Sequence, residues 1–204
     1  MTTKNKKIEF DVVFKAILIG EVGVGKTHLI NTSQGKPFDF IEKSITTNTF
    51  VRLKYIIDKI NYTIELWNTA GKEKYREMTK LFYKNANIVI FVYDITNKKS
   101  FEELRNYWIK EVQQTLGDQV VYGIIGNKKD LDEEKEISEE TVKQFANSKK
   151  MKFKLVSAKE EPKLFNDFLE ELLKKSTLLL YERQTFKIHK KSIKQIQSKK
   201  KCEC

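Results

Sequence analysis

The residue pattern with the most specific chemistry is GEVGVGKT, a glycine-rich segment that ends in Lys26 and Thr27. It follows an apolar run and precedes a stretch of helical period, which is the context in which G-x-x-x-x-G-K-[ST] binds phosphates. The glycines let backbone N–H groups turn toward the phosphates, Lys26 can pair with the terminal phosphates, and the Thr27 hydroxyl can ligate Mg²⁺. The segment predicts a nucleotide site, but it does not separate ATP from GTP.

Two later motifs, NKKD and SAK, predict which base is bound, and each follows an apolar run. In open parallel sheets, ligands bind at the carboxyl ends of the strands. The Asp130 carboxylate can accept hydrogen bonds from the ring N–H and the exocyclic amine of guanine, which adenine does not offer in the same place. We expect Lys128 along the base plane, Asn127 bracing the loops, and the Ala158 N–H facing the guanine oxygen. An ATP-using phosphotransferase is the alternative if Asp130 is incidental.

The elements that must position these motifs are six short apolar runs, which alternate with longer stretches of helical period. The runs are FDVVFKAILIG, FVRLKYII, YTIELW, IVIFVYDI, VVYGIIGN and FKLV. The second and third flank Asp58 and Lys59 and predict an antiparallel hairpin, whereas the fourth and fifth are apolar throughout, as in strands covered on both faces. We therefore predict an α/β fold of the P-loop NTPase class. Its six-stranded sheet is mostly parallel with one antiparallel edge strand, and helices cover both faces.

Three stretches have helical period. Residues 100–116 and 138–149 each open with a Ser close to two acidic residues, which is a helix-start signal. A third helix begins near Pro162 and repeats apolar residues about every four positions until Tyr181. The repeat then ends, so we predict a globular domain over residues 1–183 and a flexible basic tail over residues 184–204.

The net charge of +11 lies mainly in that tail, because residues 184–204 contain seven Lys and one Glu, or +6. The tail lysines lack interleaved aromatic residues or an Arg fork, so nucleic acid is a poor candidate partner. Both cysteines lie in the last three residues, which leaves the body without a possible disulfide and favours a cytosolic chain. No run reaches about 18 apolar residues, so we expect no membrane-spanning helix.

Five motifs in this order and spacing resemble the Ras superfamily: GEVGVGKT, WNTAGKEKYR, VYDITNKKSFEEL, GNKKD and SAK. The sequence DITNKKSFEEL and the terminal CEC resemble its Rab branch. The resemblance covers about residues 10–181. It implies a monomeric switch of vesicle traffic that binds GTP and GDP with Mg²⁺. Effectors, an exchange factor and an activating protein would then act at residues 38–50 and 67–83.

The resemblance also assigns the residues that contact the nucleotide. Counting from the phosphate loop without gaps places Phe38 where the family has an aromatic residue that packs on guanine. The implied nucleotide-binding residues are Glu21, Val22, Gly23, Val24, Gly25, Lys26, Thr27, His28, Phe38, Gly71, Asn127, Lys128, Asp130, Ser157, Ala158 and Lys159.

Two departures from the family pattern lie in the phosphate loop and in the first switch. Val22 stands where Rab proteins usually carry a small residue, and its branched side chain would crowd the terminal phosphate. Where the family has a Mg²⁺-binding Thr, ungapped counting gives Ile45. After a slip of one or two residues, Ser44, Thr46 or Thr47 could replace it, and we favour Thr46 as the metal ligand.

Two further departures lie in ELWNTAGKE. Asn68 replaces an Asp that supports Mg²⁺, and a neutral carboxamide, acting through a water, should retain the metal less well. Lys72 replaces the catalytic Gln that orients the attacking water, and an ammonium can only donate hydrogen bonds. With Lys26 retained, we expect binding to persist and hydrolysis to be slow. The alternative is a non-hydrolysing, GTP-locked module that serves as a membrane scaffold.

The terminal CEC has three interpretations from composition alone: exposed thiols, a two-thiolate metal site, or lipid attachment. Two soft ligands do not close a zinc site. The Rab resemblance implies geranylgeranylation of Cys202 and Cys204, with prenylation and extraction chaperones as partners of the tail. Two lipid chains beside a lysine-rich stretch predict a location on the cytoplasmic face of an endomembrane, with cycling through the cytosol.

Overall fold

The computed structural model describes residues 12–39, 50–69 and 81–201, with side chains described as far as Arg183. The sheet has six strands in the order β2-β3-β1-β4-β5-β6. The strands are β1 Val12–Ile19, β2 Phe50–Ile57, β3 Ile60–Asn68, β4 Ile88–Asp94, β5 Val121–Asn127 and β6 Lys152–Leu155. Strand β2 pairs antiparallel with β3, and the four other pairings are parallel. The predicted sheet is confirmed.

The antiparallel edge depends on a two-residue turn between β2 and β3. Asp58 and Lys59 have φ values of 51° and 64°, and they join Ile57 to its cross-strand partner Ile60. Positive φ at both central residues matches the twist of hairpin strands. Residues of β2 alternate between exposed and half-buried along the strand. The predicted hairpin is therefore confirmed.

Helices cover both faces of the sheet. They are α1 Lys26–Ser33, α2 Lys98–Glu103, α3 Ile109–Leu116, α4 Glu139–Ser148 and α5 Pro162–Lys201. A π-helical turn, Leu104–Trp108, joins α2 to α3, and 3₁₀ turns occupy Gly117–Gln119 and Lys129–Glu134. One buried cluster packs α1 and α5 against one sheet face, and a second packs α2, the π turn, α3 and α4 against the other. Every residue of β4 and β5 is buried, as predicted for central strands.

Of the two helices predicted to begin at a Ser, α4 begins as the sequence signal indicates, and α2 does not. Ser138 caps α4, accepting from the Thr141 N–H at 3.3 Å. The other helix begins at Lys98 rather than at Ser100, because the Asn97 side chain accepts from the Ser100 N–H at 3.2 Å and caps α2. The Ser100 hydroxyl is buried and donates to the Asn97 carbonyl at 2.7 Å.

Helix α5 is longer than its apolar repeat. Arg183 fastens the helix to the body by donating to the backbone oxygens of Gln119 and Asp118 at 3.0 and 2.9 Å. The backbone is helical as far as Lys201. The division into a globular domain over residues 1–183 and a flexible basic tail over residues 184–204 stays a prediction. Among the described residues, no helix is both long enough and apolar enough to cross a membrane.

Candidate nucleotide-binding site

The phosphate loop, NKKD and SAK meet at the carboxyl edge of the sheet. The loop joins β1 to α1, Asn127 is the last residue of β5, and Ala158 follows β6. Together they line a cavity of about 290 Å³. Its wall is formed by Gly23, Gly25, His28, Phe38, Asn127, Lys128, Asp130, Leu131, Ala158 and Lys159. Leu131 is the one lining residue that the sequence argument did not name.

The phosphate loop depends on glycine at two positions. Gly25 has a φ of 91°, and a Cβ there would lie 2.2 Å from Asn127 Nδ2. At Gly20, a Cβ would lie 2.1 Å from the Val92 carbonyl oxygen of the neighbouring strand. Neither distance leaves room for a Cβ atom, so packing requires glycine at both positions. At Gly25 the positive φ requires glycine as well.

Lys26 lies buried inside the loop. Its ammonium donates to the carbonyl oxygens of Gly20 and Glu21 at 2.7 and 2.8 Å. Burial lowers the pKa of Lys26 to about 8, and the nearby Glu21 carboxylate offsets part of that shift. The ammonium therefore already lies among the backbone groups of the phosphate loop, where an anionic phosphate would favour its charged form.

Asn127 links the phosphate loop to SAK, as expected of a brace. Its Nδ2 donates to the Val24 carbonyl at 2.9 Å, and its Oδ1 accepts from the Ala158 N–H at 3.2 Å. We expected that N–H to face a guanine oxygen, but here it donates to Asn127. The 3.2 Å bond is at the long end of the usual range, so a guanine oxygen can compete for the donor.

The Asp130 carboxylate is held in place by two side chains, Ser157 and Lys159. Its Oδ1 accepts from the Ser157 hydroxyl at 2.7 Å, and Lys159 Nζ lies 3.9 Å from its Oδ2. Ser157 Oγ in turn accepts from the Glu160 N–H at 2.9 Å. These contacts orient the carboxylate beside the cavity, and it can accept further hydrogen bonds there.

Two long-range contacts that the sequence argument missed also hold the site. Lys128, with a left-handed φ of 67°, places its Nζ 2.5 Å from Oδ2 of Asp94 at the end of β4. Trp108, in the π turn, donates from Nε1 to the Glu21 carboxylate at 2.8 Å. The signal for Asp94 was its place in VYDIT at a strand end, whereas nothing near Trp108 in the sequence points to the phosphate loop.

Near the expected metal position, the described side chains are neutral. Asn68, at the end of β3, donates from Nδ2 to the Thr27 hydroxyl at 3.0 Å. Val22, in the phosphate loop, is 45% exposed. The described residues contain no group of three or more His, Cys, Asp or Glu side chains that could hold a metal ion.

An aromatic surface cluster, formed by Phe50, Trp67 and Phe82, lies at the β2–β3 edge of the sheet, where Trp67 also packs against the second buried cluster. Phe50 stacks on Trp67 with ring centroids 4.7 Å apart, and Phe82 lies 5.8 Å from Trp67. Lys15 Nζ lies 4.9 Å from the Trp67 ring centroid. Phe50 is 40% exposed, so the cluster presents an apolar surface to solvent. All three aromatic residues fall within the segments where the sequence predicts effector binding.

Comparison with known proteins agrees with this geometry. A Ras family model matches residues 15–178. Rab-21 of Geodia cydonium is 34% identical over 172 residues, covering 83% of this chain and 75% of the relative. Rab-30 of Homo sapiens is 33% identical, with 79% of each chain covered. Rab11B of Nicotiana tabacum is 34% identical over 164 residues, covering 80% and 75%. The chain belongs to the Rab branch of the Ras family.

The sequence comparison with the Rab pattern predicts that Lys26 and Thr27 keep that pattern and that Val22 and Asn68 depart from it. All four of these residues lie within the described part of the chain. The remaining positions at issue, Ile45, Thr46, Gly71 and Lys72, lie outside the described residues, as do Cys202 and Cys204 of the Rab-like terminus. The structure therefore describes two of the four expected departures, and of these Asn68 contacts Thr27.

Proposed function

We propose that this Rab-branch protein is a guanine-nucleotide switch of vesicle traffic that binds GTP and GDP with Mg²⁺ and hydrolyses GTP slowly. The observation that carries the proposal is the convergence of the phosphate loop, Asp130 and Ala158 on one cavity. The phosphate loop would supply backbone donors, Asp130 would accept from the ring N–H and the amine of guanine, and the Ala158 N–H would donate to the adjacent guanine oxygen. We expect this arrangement to favour guanine over adenine.

The residues at Thr27 fit a metal ion that is held largely by the nucleotide. Mg²⁺ prefers anionic oxygens and is commonly held by one or two carboxylates together with substrate phosphates. Here the Thr27 hydroxyl would ligate the ion, and Asn68 would accept from a metal-bound water through its carbonyl oxygen. A bound Mg²⁺ would neutralise charge on the phosphates. Because Asn68 adds no charge, retention of the metal should be weaker than with a carboxylate.

We expect slow hydrolysis from three positions, Val22, Asn68 and Lys72, at which the Rab resemblance implies other residues. Val22 projects a branched, exposed side chain from the phosphate loop. The Asn68 amide donates its hydrogen bond to the Thr27 hydroxyl. Lys72 cannot accept a hydrogen bond from an attacking water. Ras itself hydrolyses GTP at about 10⁻⁴ per second, and a partner's arginine adds about 10⁵-fold. Without the water-positioning Gln and with Val22 crowding the arginine's entry, turnover should lie near or below the intrinsic rate.

The second candidate is a GTP-locked module that binds nucleotide without hydrolysing it and serves as a membrane scaffold. The Asn68–Thr27 contact favours this second candidate if the site retains Mg²⁺ poorly. The nucleotide that co-purifies with the protein distinguishes the two. Bound GDP supports a slow switch, and GTP alone supports a locked module.

The base preference has its own test. Purified protein titrated with labelled GTP and, separately, labelled ATP should bind GTP far more tightly, because Asp130 accepts from two guanine donors. Tighter binding of ATP would contradict the proposal and favour a phosphotransferase.

The tail and the aromatic surface cluster supply the remaining parts of the proposed switch. Geranylgeranyl groups on Cys202 and Cys204, together with the tail lysines, would hold the protein on the cytoplasmic face of an endomembrane. Prenylation and extraction chaperones would bind the tail. Effectors, an exchange factor and an activating protein would bind at the switches and at the cluster formed by Phe50, Trp67 and Phe82. Loss of vesicle binding after replacement of both cysteines by Ser would support this assignment, and retained binding would contradict it.

A further inference from the structure

The first helix carries an aromatic side chain that faces the nucleotide cavity. The imidazole of His28 stacks on the ring of Phe38, with centroids 4.5 Å apart and an angle of 27° between the planes. Both rings line the cavity. Stacked aromatic pairs are stabilised beyond the apolar area that they bury. His28 therefore helps to hold the Phe38 ring at the cavity wall.

The same imidazole also restrains the backbone next to Phe38. Its Nε2 lies 2.6 Å from the carbonyl oxygen of Asp39. A carbonyl oxygen can only accept, so Nε2 must carry the proton and donate it. One side chain thus holds two consecutive residues, Phe38 through its ring and Asp39 through its backbone.

The two partners of this contact differ in how firmly the fold holds them. His28 belongs to α1, whose Leu29 and Ile30 are buried in the core, and its own carbonyl accepts from the Thr32 hydroxyl at 2.8 Å. Phe38, by contrast, follows a stretch from Gly35 onward that forms no helix or strand. The position of Phe38 therefore depends on side-chain contacts: its ring packs against the first buried cluster, and His28 supplies a stacking contact from α1.

We propose that His28 is a positioning residue that latches Phe38 against the nucleotide and so slows the release of bound GDP. The inference rests on the proposed function, in which Phe38 packs on guanine. Without the latch, the Phe38 ring can swing away from the cavity wall and open a path for the nucleotide. The effect should therefore fall on dissociation rather than on association, since the phosphate loop and Asp130 are unchanged.

Dissociation of fluorescently labelled GDP from the full chain, chased with excess unlabelled GDP, tests the latch. In His28→Ala the dissociation rate should rise about tenfold, because both the stack and the hydrogen bond are lost, while association changes by less than about twofold. His28→Phe keeps a stacking ring and should recover most of the wild-type rate. Lys36→Ala, an exposed change between α1 and Phe38, is the matched control and should leave the rate unchanged.

A double-mutant cycle separates a latch from a general loss of stability. Phe38→Leu alone should speed dissociation, and adding His28→Ala to it should change the rate little, because the ring that His28 holds is already gone. A His28→Ala rate within about twofold of wild type would overturn the inference, as would a His28→Phe rate equal to that of His28→Ala. Wild-type protein that binds no labelled GDP would instead overturn the proposed function, and the inference with it.

Discussion

At the residue scale, the proposed recognition of guanine would depend on Asp130, whose carboxylate is oriented by the Ser157 hydroxyl at 2.7 Å. In Asp130→Asn one carboxylate oxygen becomes an amide donor, so the paired acceptor for guanine is lost. Hydrogen bonds to charged groups contribute about 1.5–3 kcal/mol each, so GTP affinity should fall by roughly 100-fold or more. Titration with labelled GTP measures the change.

The neighbouring Asp132 provides a matched control for that substitution. It carries an exposed carboxylate paired with Lys135 at 2.6 Å, and it does not line the cavity. Asp132→Asn should leave GTP affinity unchanged. Equal losses in both variants would show that Asp130 acts through fold stability rather than through contact with the base.

A second residue-scale prediction concerns the stability of the nucleotide-free protein as the pH changes. Burial lowers the pKa of Lys26 to about 8, whereas in the unfolded chain it is near 10.5. Between these values the unfolded state binds more protons, so the free energy of unfolding should rise with pH. The contribution of Lys26 between pH 8 and 10 is about 2 kcal/mol.

Denaturant unfolding of nucleotide-free wild type and Lys26→Met at pH 8 and pH 10 isolates this contribution. The free energy of unfolding of the wild type should rise relative to the variant over that interval. A pH-independent difference between the two proteins would show that Lys26 is not desolvated in the nucleotide-free loop.

At the scale of elements, the π turn of Leu104–Trp108 couples one helical layer to the phosphate loop. Trp108 is buried, and its indole donates to the Glu21 carboxylate at 2.8 Å. Trp108→Phe keeps a ring but removes the donor to a partly buried carboxylate, which should cost about 1–3 kcal/mol of unfolding free energy. Urea denaturation measures this cost. Glu21→Gln retains an acceptor for the indole and should cost much less, so equal costs would contradict the proposed role of the bond.

Local sequence patterns predicted those elements whose structure depends on residues close to one another in the sequence. The alternation of β2 and β3 around Asp58 and Lys59 fixed the hairpin, and the uniformly apolar runs became the buried central strands. The start of α2 was wrong because Asn97 competes with Ser100 for the cap, and the buried Ser100 hydroxyl is used elsewhere. Such a competition depends on burial, which the local sequence does not reveal.

The site was predictable to the extent that its chemistry lies in contiguous motifs. The phosphate loop, NKKD and SAK could each be read from residue types and spacing. The contacts of Glu21 with Trp108 and of Lys128 with Asp94 join residues on different elements, and they depend on sheet order and helix packing. No single-sequence pattern specifies those pairs.

At the scale of the whole molecule, the proposed switch would combine an intact base-reading edge with an altered environment for the terminal phosphate. Asn127, Asp130 and Ala158 surround the cavity, whereas Asn68 contributes a neutral side chain to Thr27. Nucleotide binding and nucleotide hydrolysis use different parts of the site, so one can persist while the other is weakened. The central claim is therefore tight binding of guanine nucleotide with slow turnover.

Single-turnover hydrolysis of bound GTP at saturating Mg²⁺ tests that claim most directly. The account predicts that wild-type protein retains GTP and cleaves it more slowly than the intrinsic, partner-free rate, which for Ras is about 10⁻⁴ per second. Combined replacement of Val22 by Ser, Asn68 by Asp and Lys72 by Gln should raise that rate. A wild-type rate equal to that of Rab proteins carrying the usual Asp and Gln, unchanged by the triple replacement, would contradict the account.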